Sequence, residues 1–275
     1  MTILQAIVLG IVQGLTEFIP VSSSAHLVLV QWLLGWTFDE QTAFVFGVLV
    51  QWGTLVAVFV YFWGDVWLIA RAVLGGLAHC KPFGSFEARL GWWVVLATIP
   101  AVVFGLLLKD RVEDAFSAPA VVASLLFVTA AILFAAERFG KRLRDLRQFD
   151  AGDALTIGFA QALALFPGVS RSGATIGAGM LRHLDRPAAA RFSFLMSIPA
   201  LLGAGVVALV DLFQNAALLS SLALPLAAGF LAAAVSGYLC IRWLLGYLQR
   251  RSLVVFAAYC LVFGAACLVL ALARS

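Results

Sequence analysis

Six stretches of this chain, 43–63, 90–108, 118–137, 191–213, 217–241 and 252–273, are apolar for long enough to cross hydrocarbon as helices. About 20 residues at roughly 1.5 Å each cover the hydrocarbon core of a bilayer. No soluble globule hides that much apolar surface: 63% of the 275 residues are hydrophobic and 12% are charged, against about a quarter charged in soluble domains. The apolar runs are continuous, whereas a membrane β-barrel alternates along short strands. The chain is therefore expected to be an all-α integral membrane protein, and its function must be compatible with a lipid environment.

Segments 23–36, 154–167 and 172–184 are apolar but too short to cross. Together with 2–19 they are expected to form two re-entrant helical hairpins, 2–36 and 154–184, each returning to its own side. Broken, polar hairpin tips survive at membrane depth only when buried in protein or lining a cavity. The first segment has no basic region ahead of it and is read as a retained helix rather than a signal peptide.

Charge placement supports this count. One face receives fourteen Lys and Arg, and the other only Lys109, Arg111 and Arg274. The rich face is expected in the cytoplasm, which puts both termini outside. The hairpins then enter from opposite sides, predicting an inverted-topology repeat. A shift of 148 places Gln13 on Gln161, Ser22 on Ser170, Ser24 on Ser172, Phe44 on Phe192 and Phe46 on Phe194. The expected organisation is one membrane domain over 1–275, with repeat one at about 1–137 and repeat two at about 154–275. The basic stretch 138–153 is the linker. Cys80, Cys240, Cys260 and Cys267 form no CxxC and are expected to be free thiols.

Thirteen of the fourteen acidic residues fall in loops or at span ends on this map, and Glu17 is the exception. Arg171 is its counterpart among the bases. An ionisable group at membrane depth is costly unless paired or hydrated, and marks a functional site. Arg171 lies in P-G-V-S-R-S-G-A-T, 167–175. There Pro167 and Gly168 break one arm, and Ser170 or Ser172 can cap the next helix. A helix N-terminus offers unpaired N–H groups to an anion, and a guanidinium adds a planar fork for phosphate oxygens. Thr175 lies one turn on, along the same face.

The first hairpin carries Q-G-L-T-E-F-I-P-V-S-S-S-A-H, 13–26. Pro20 ends one arm, and Ser22, Ser23 and Ser24 start the next helix. His26 follows Ser23 by three residues, so both can face one pocket. A serine beside a histidine and a carboxylate can act as nucleophile, base and orienting group. Gln13 and Glu17, one turn apart, can instead hold a hydrated divalent cation.

Those two strings resemble the bacitracin-resistance type of undecaprenyl-diphosphate phosphatase over essentially the whole chain. Its signatures are [E/Q]xxxE running into PVSSxxH, and PGxSRSxxT. The resemblance implies a bacterial cytoplasmic-membrane enzyme that hydrolyses undecaprenyl diphosphate to the monophosphate carrier of cell-wall synthesis, with bacitracin resistance as a consequence. It implies Glu17, Ser23, His26 and Arg171 as the essential set. Gln13, Ser22, Ser24, Gln51, Ser170, Ser172 and Thr175 are expected to line the substrate site. It further implies Mg²⁺ or Ca²⁺ dependence, an outward-facing site and a homodimer; no nucleic-acid partner is expected. Two positions depart from the family. Gln13 is the uncharged variant of its pair, and F-G-V-L-V-Q at 46–51 has Gly47 where the family commonly has a carboxylate, with Gln51 kept. A polyprenyl-phosphate flippase or anion transporter fits the same scaffold, although a Ser/His/Glu constellation is surplus to a carrier.

Overall fold

The computed structural model describes residues 1–116, 118–213 and 216–274. Among them every regular element is helical, and an isolated bridge between Arg144 and Leu184 is the one β-type pairing. Five helices are long and apolar enough to cross a membrane: Gln41–Tyr61, Phe86–Leu107, Pro119–Phe139, Leu222–Leu248 and Val254–Arg274. They coincide with five of the six expected spans. The sixth, 191–213, falls in a longer helix, Arg186–Phe213, whose later side chains lie outside the described residues.

The chain opens with α1 (Ile3–Phe18), capped by a reciprocal pair in which the Gln5 N–H reaches Thr2 Oγ1 and the Thr2 N–H reaches Gln5 Oε1. Pro20 cannot continue a helix, and after a short turn α2 runs over Ser23–Leu34. It stops at Gly35, whose φ of 64° is the left-handed conformation that closes helices. α3 (Glu40–Tyr61) starts where the Asp39 carboxylate accepts the Thr42 N–H at 2.8 Å.

A further helix, α4 (Trp63–Ala78), was not legible in the sequence. Asp65 and Arg71 interrupt its apolar pattern, and it buries no residue while exposing Trp63, Trp67, Leu68 and Leu74. It packs against α5 (Phe86–Leu107), with Val73 and Ile69 lying over Gly91. A short charged helix, α6 (Lys109–Phe116), leads to α7 (Pro119–Phe139), which has proline in its first turn.

α8 (Ala151–Leu163) and α9 (Arg171–Leu181) form a second pair joined by a broken tip. The helices α10 (Arg186–Phe213), α11 (Ala216–Leu248) and α12 (Val254–Arg274) complete the chain. α1 packs along α11, and α8 packs along α5; α3 packs on α11, and α10 on α5. Both hairpin contacts are close approaches of small residues. A Cβ on Gly10 would collide with the Gly229 carbonyl, and one on Gly158 would lie 2.6 Å from the Ala97 carbonyl oxygen. Between helices in lipid, such backbone contact and interhelical hydrogen bonds replace a hydrophobic driving force.

The basic face is held by ion pairs. The Glu137 carboxylate accepts from Arg186 Nε at 2.7 Å and Nη2 at 2.6 Å, from Arg142 Nη1 at 3.1 Å and from the Leu253 N–H at 2.7 Å. Asp153, fully buried, accepts from Arg144 Nη2 at 2.7 Å and Arg182 Nε at 2.8 Å. The linker expected merely to join the halves thus ties α7, through Arg142, and α8, through Arg144, to the turn that follows α9. All four cysteines are free, Cys80 exposed and the others buried, as expected.

Candidate active site

The two hairpin tips meet. From α1, Glu17 is buried to 6% exposure, a placement that needs compensation for its charge. Arg171, the first residue of α9, supplies it: Nη2 donates to Glu17 Oε1 at 2.7 Å. Ser23, the first residue of α2, donates its hydroxyl to Glu17 Oε2 at 2.6 Å, and Gln13 Nε2 donates to the same oxygen at 2.9 Å. The carboxylate is therefore a hub joining an amide, a hydroxyl and a guanidinium from three helices. Two enclosed atoms of this cluster have no partner among the described residues: Arg171 Nη1, a donor, and Gln13 Oε1, an acceptor. Buried polar atoms of native proteins are nearly always satisfied, so such orphans point to a ligand.

The tips are built to hold this geometry. Ser170 Oγ caps α9 by accepting the Gly173 N–H at 3.0 Å, and the Ser170 N–H donates to Thr129 Oγ1 of α7 at 2.8 Å. Thr129 in turn donates to the Gly168 carbonyl at 2.9 Å. Gly168 is required there: its φ is 109°, and an added Cβ would lie 2.5 Å from the Val122 carbonyl oxygen. Ser172 Oγ donates to the Ile19 carbonyl at 3.3 Å, stitching the second tip to the first. On the other side, Ser22 caps α2 at φ 72°, a left-handed conformation costly for a residue with a side chain. Its hydroxyl lies 3.2 Å from Ser24 Oγ.

His26 is buried beside this cluster, and its hydrogen bonds go elsewhere than to Ser23. Its Nδ1 lies 2.8 Å from the Ser22 carbonyl oxygen, so that nitrogen carries the proton of the neutral ring. Nε2 is then the acceptor for the Tyr259 hydroxyl, 2.7 Å away on α12. The imidazole stacks on Phe263 at 4.8 Å and on Tyr259 at 5.6 Å between centroids. The three-residue spacing from Ser23 suggested one pocket; instead Ser23, at the start of the helix, points back to α1 and His26 turns to α12.

Of the remaining expected residues, Thr175 is buried with its hydroxyl on the Arg171 carbonyl at 2.8 Å and 2.6 Å from Ser193 Oγ, which directs it toward α10. Among the described residues no hydrogen bond ties the Gln51 side chain to the cluster; its backbone carbonyl accepts from the Thr54 hydroxyl. Tyr259, Thr129 and Ser193 were not found from sequence. A lone hydroxyl in an apolar helix can bond its own backbone and raises no alarm.

A family model described as "Bacitracin resistance protein BacA" matches residues 6–266. The chain belongs to the BacA family. Curated relatives agree along the full length. An undecaprenyl-diphosphatase of Chlorobaculum tepidum is 45% identical over 271 residues, covering 96% of this chain and 95% of its own. One from Desulforudis audaxviator is 45% identical over 270 residues, 98% of each chain. A third, from Anaeromyxobacter dehalogenans, is 44% identical over 97% of this chain and 90% of its own. In this BacA protein the Glu17–Ser23–Arg171 cluster thus lies within the part of the chain shared with these relatives.

Proposed function

We propose that this protein hydrolyses undecaprenyl diphosphate to undecaprenyl phosphate and inorganic phosphate, returning the lipid carrier to cell-wall synthesis and opposing bacitracin. Full-length similarity to proteins named undecaprenyl-diphosphatase supports the substrate. The observation that carries the chemistry is the Ser23 hydroxyl held 2.6 Å from Glu17 beside an Arg171 nitrogen with no partner among the described residues.

Arg171 Nη1 and the N-terminus of α9 receive the terminal phosphate, an anion answering a donor and a helix dipole. The Ser23 oxygen attacks the terminal phosphorus as its proton passes to Glu17. The bond to the bridging oxygen breaks, and undecaprenyl phosphate leaves with the electron pair. Glu17, now protonated, gives up its proton as water attacks the phosphoserine, freeing inorganic phosphate and restoring the hydroxyl. Glu17 rather than His26 takes the proton because it already accepts from Ser23. His26 and Tyr259 fix the first turn of α2 through the Ser22 carbonyl.

The donor set also fits a hard divalent cation, Mg²⁺ or Ca²⁺. Gln13 Oε1 is a buried oxygen without a partner among the described residues, and Glu17 is the adjacent carboxylate. Among the described residues no group of three or more His, Cys, Asp or Glu gathers, so the diphosphate would supply most of the remaining oxygens. When bound, the cation would neutralise charge on the diphosphate.

We also infer six spans with two re-entrant hairpins in an inverted repeat, both termini external, in the bacterial cytoplasmic membrane, as a homodimer. The repeat is supported by helix starts 148 residues apart, Ile3 with Ala151 and Ser23 with Arg171, and by the exchanged packing of α1 on α11 and α8 on α5. Labelling Ser275→Cys in intact cells tests the orientation; labelling only after lysis overturns it. The function is tested by phosphate release from undecaprenyl diphosphate by purified protein in detergent. Failure to release phosphate, with or without Mg²⁺, rejects the hydrolase.

A further inference from the structure

Away from the hairpin tips, the end of α11 and the turn into α12 enclose a cleft of about 540 Å³. Three guanidiniums, from Arg242, Arg250 and Arg251, line it together with Trp243, and no carboxylate does. Elsewhere on the same basic face Arg142, Arg144, Arg182, Arg186 and Arg191 each meet an aspartate or glutamate. The three cleft arginines have no such partner among the described residues. A general excess of basic residues on one face explains which side they occupy, but not their convergence on one acid-free cleft.

The cleft is fixed rather than improvised. The Arg250 and Arg251 N–H groups both donate to the Tyr247 carbonyl, at 3.1 and 2.9 Å, and the Tyr247 hydroxyl donates to the Ser252 carbonyl at 3.2 Å. Leu253, next in the chain, donates to Glu137 at 2.7 Å. The Trp243 ring lies 5.2 Å from that of Tyr247 and stays half exposed. Gly246 leaves the floor open, since a Cβ there would meet nothing within 4 Å.

An apolar lane leads out of the cleft. Leu231, Val235 and Leu239 are spaced four apart on α11, so they share one face, and all three are exposed; Trp243 continues the row. α11 includes one of the spans apolar enough to cross a membrane, Leu222–Leu248, so the arginines stand where hydrocarbon gives way to headgroups. We propose that this cleft binds one anionic phospholipid, with its phosphate on Arg242, Arg250 and Arg251 and an acyl chain along Leu231, Val235 and Leu239. The lane is what selects a lipid over free phosphate, because an inorganic anion has no use for it.

Native mass spectrometry of the full-length protein in detergent tests this, with phosphatidylglycerol, phosphatidylcholine or inorganic phosphate as probes. One phosphatidylglycerol should be retained in preference to phosphatidylcholine. The combined variant Arg242→Gln, Arg250→Gln, Arg251→Gln should weaken retention about a hundredfold, the worth of three basic residues at a lipid surface. Gly246→Leu, which keeps every charge and fills the floor, should also weaken it, and covers the case in which the triple variant does not fold. Phosphate release should be unchanged in both variants. Equal retention of the two lipids, undiminished phosphatidylglycerol binding in either variant, or displacement of the lipid by inorganic phosphate would each overturn the proposal.

Discussion

At the first hairpin tip, Pro20 and Ser22 hand the chain to a helix whose first residue is Ser23; at the second, Pro167 and Gly168 hand it to one whose first residue is Arg171. Both tips cap the new helix with a serine that lies 3.2 Å from the hydroxyl of the serine two residues on, Ser22 with Ser24 and Ser170 with Ser172. The scaffold is shared, and the chemistry is not. A shift of 148 puts Leu165 where Glu17 would be, and Arg171 where Ser23 would be. One hairpin contributes acid and hydroxyl, the other a cation. A charged group buried alone in either would be costly, so each hairpin makes the other tolerable. Two similarly capped helix starts thus carry complementary groups that meet in one cluster.

The largest effect should come from the hairpin that carries the hydroxyl. If Ser23 is the nucleophile, Ser23→Ala should cut single-turnover hydrolysis by about 10⁴-fold while binding largely survives, because an attacking group acts in the transition state. The measurement is phosphate release in one turnover, with Mg²⁺ and with a chelator. Substantial Mg²⁺-dependent release by Ser23→Ala would hand the attack to water. It would also leave the first hairpin as a cation holder rather than a catalyst.

On the second hairpin, Arg171→Lys keeps the charge and loses the fork. One guanidinium nitrogen holds Glu17 and the other has no partner among the described residues, leaving it for phosphate on the proposed reading; a lysine ammonium cannot do both in that geometry. A rate loss of about thirtyfold to a thousandfold is expected, from losing a charge-assisted pair. Near-normal turnover would show that charge alone is what the second hairpin contributes.

Much of this contrast was legible in the residues themselves. Glu17 and Arg171 stood out because an ion inside an apolar run demands a reason, and the five long apolar helices followed from length and hydropathy. α4 was missed because Asp65 and Arg71 broke its pattern. Ser23 and His26 share the start of α2, yet their side-chain hydrogen bonds go to α1 and α12, a divergence that a three-residue spacing does not show. Tyr259 is 233 residues from His26 and lies in an apolar run without polar neighbours, so only the packing of α12 on α7 and α2 brings it into view.

That contact gives the next test, since the second hairpin has no counterpart of the His26–Tyr259 pair among its described hydrogen bonds. Tyr259→Phe removes one hydrogen bond to a ring that holds the start of α2. A loss of about tenfold in turnover is expected, the size of a single positioning hydrogen bond, with little change in the Mg²⁺ requirement. A loss as large as that of Ser23→Ala would instead place His26 in the chemistry.

The smallest difference lies at the outer ends of the hairpins. Both first arms begin with a reciprocal cap, Thr2 with Gln5 in one and Asp150 with Asp153 in the other, again 148 apart. The first cap is uncharged. In the second, burial alone would raise the pKa of Asp153, but hydrogen bonds from Arg144, Arg182 and the Asp150 backbone hold it below the ordinary aspartate value. A carboxyl depressed on folding contributes stability above its unfolded pKa, and that contribution disappears as pH falls through the folded value. Of the two caps, only the second should therefore loosen in acid. Because the two arginines remain partly exposed, the contribution is modest, about 1 kcal/mol. Thermal unfolding in detergent, followed from neutral pH downward, should show Asp153→Asn melting below the native protein at neutral pH and converging with it in acid. Thr2→Ala should lower the melting temperature by a similar amount that does not change with pH, the cost of a lost neutral cap. A Thr2→Ala deficit that vanished in acid, or an Asp153→Asn deficit that persisted there, would remove the electrostatic distinction between the two hairpins.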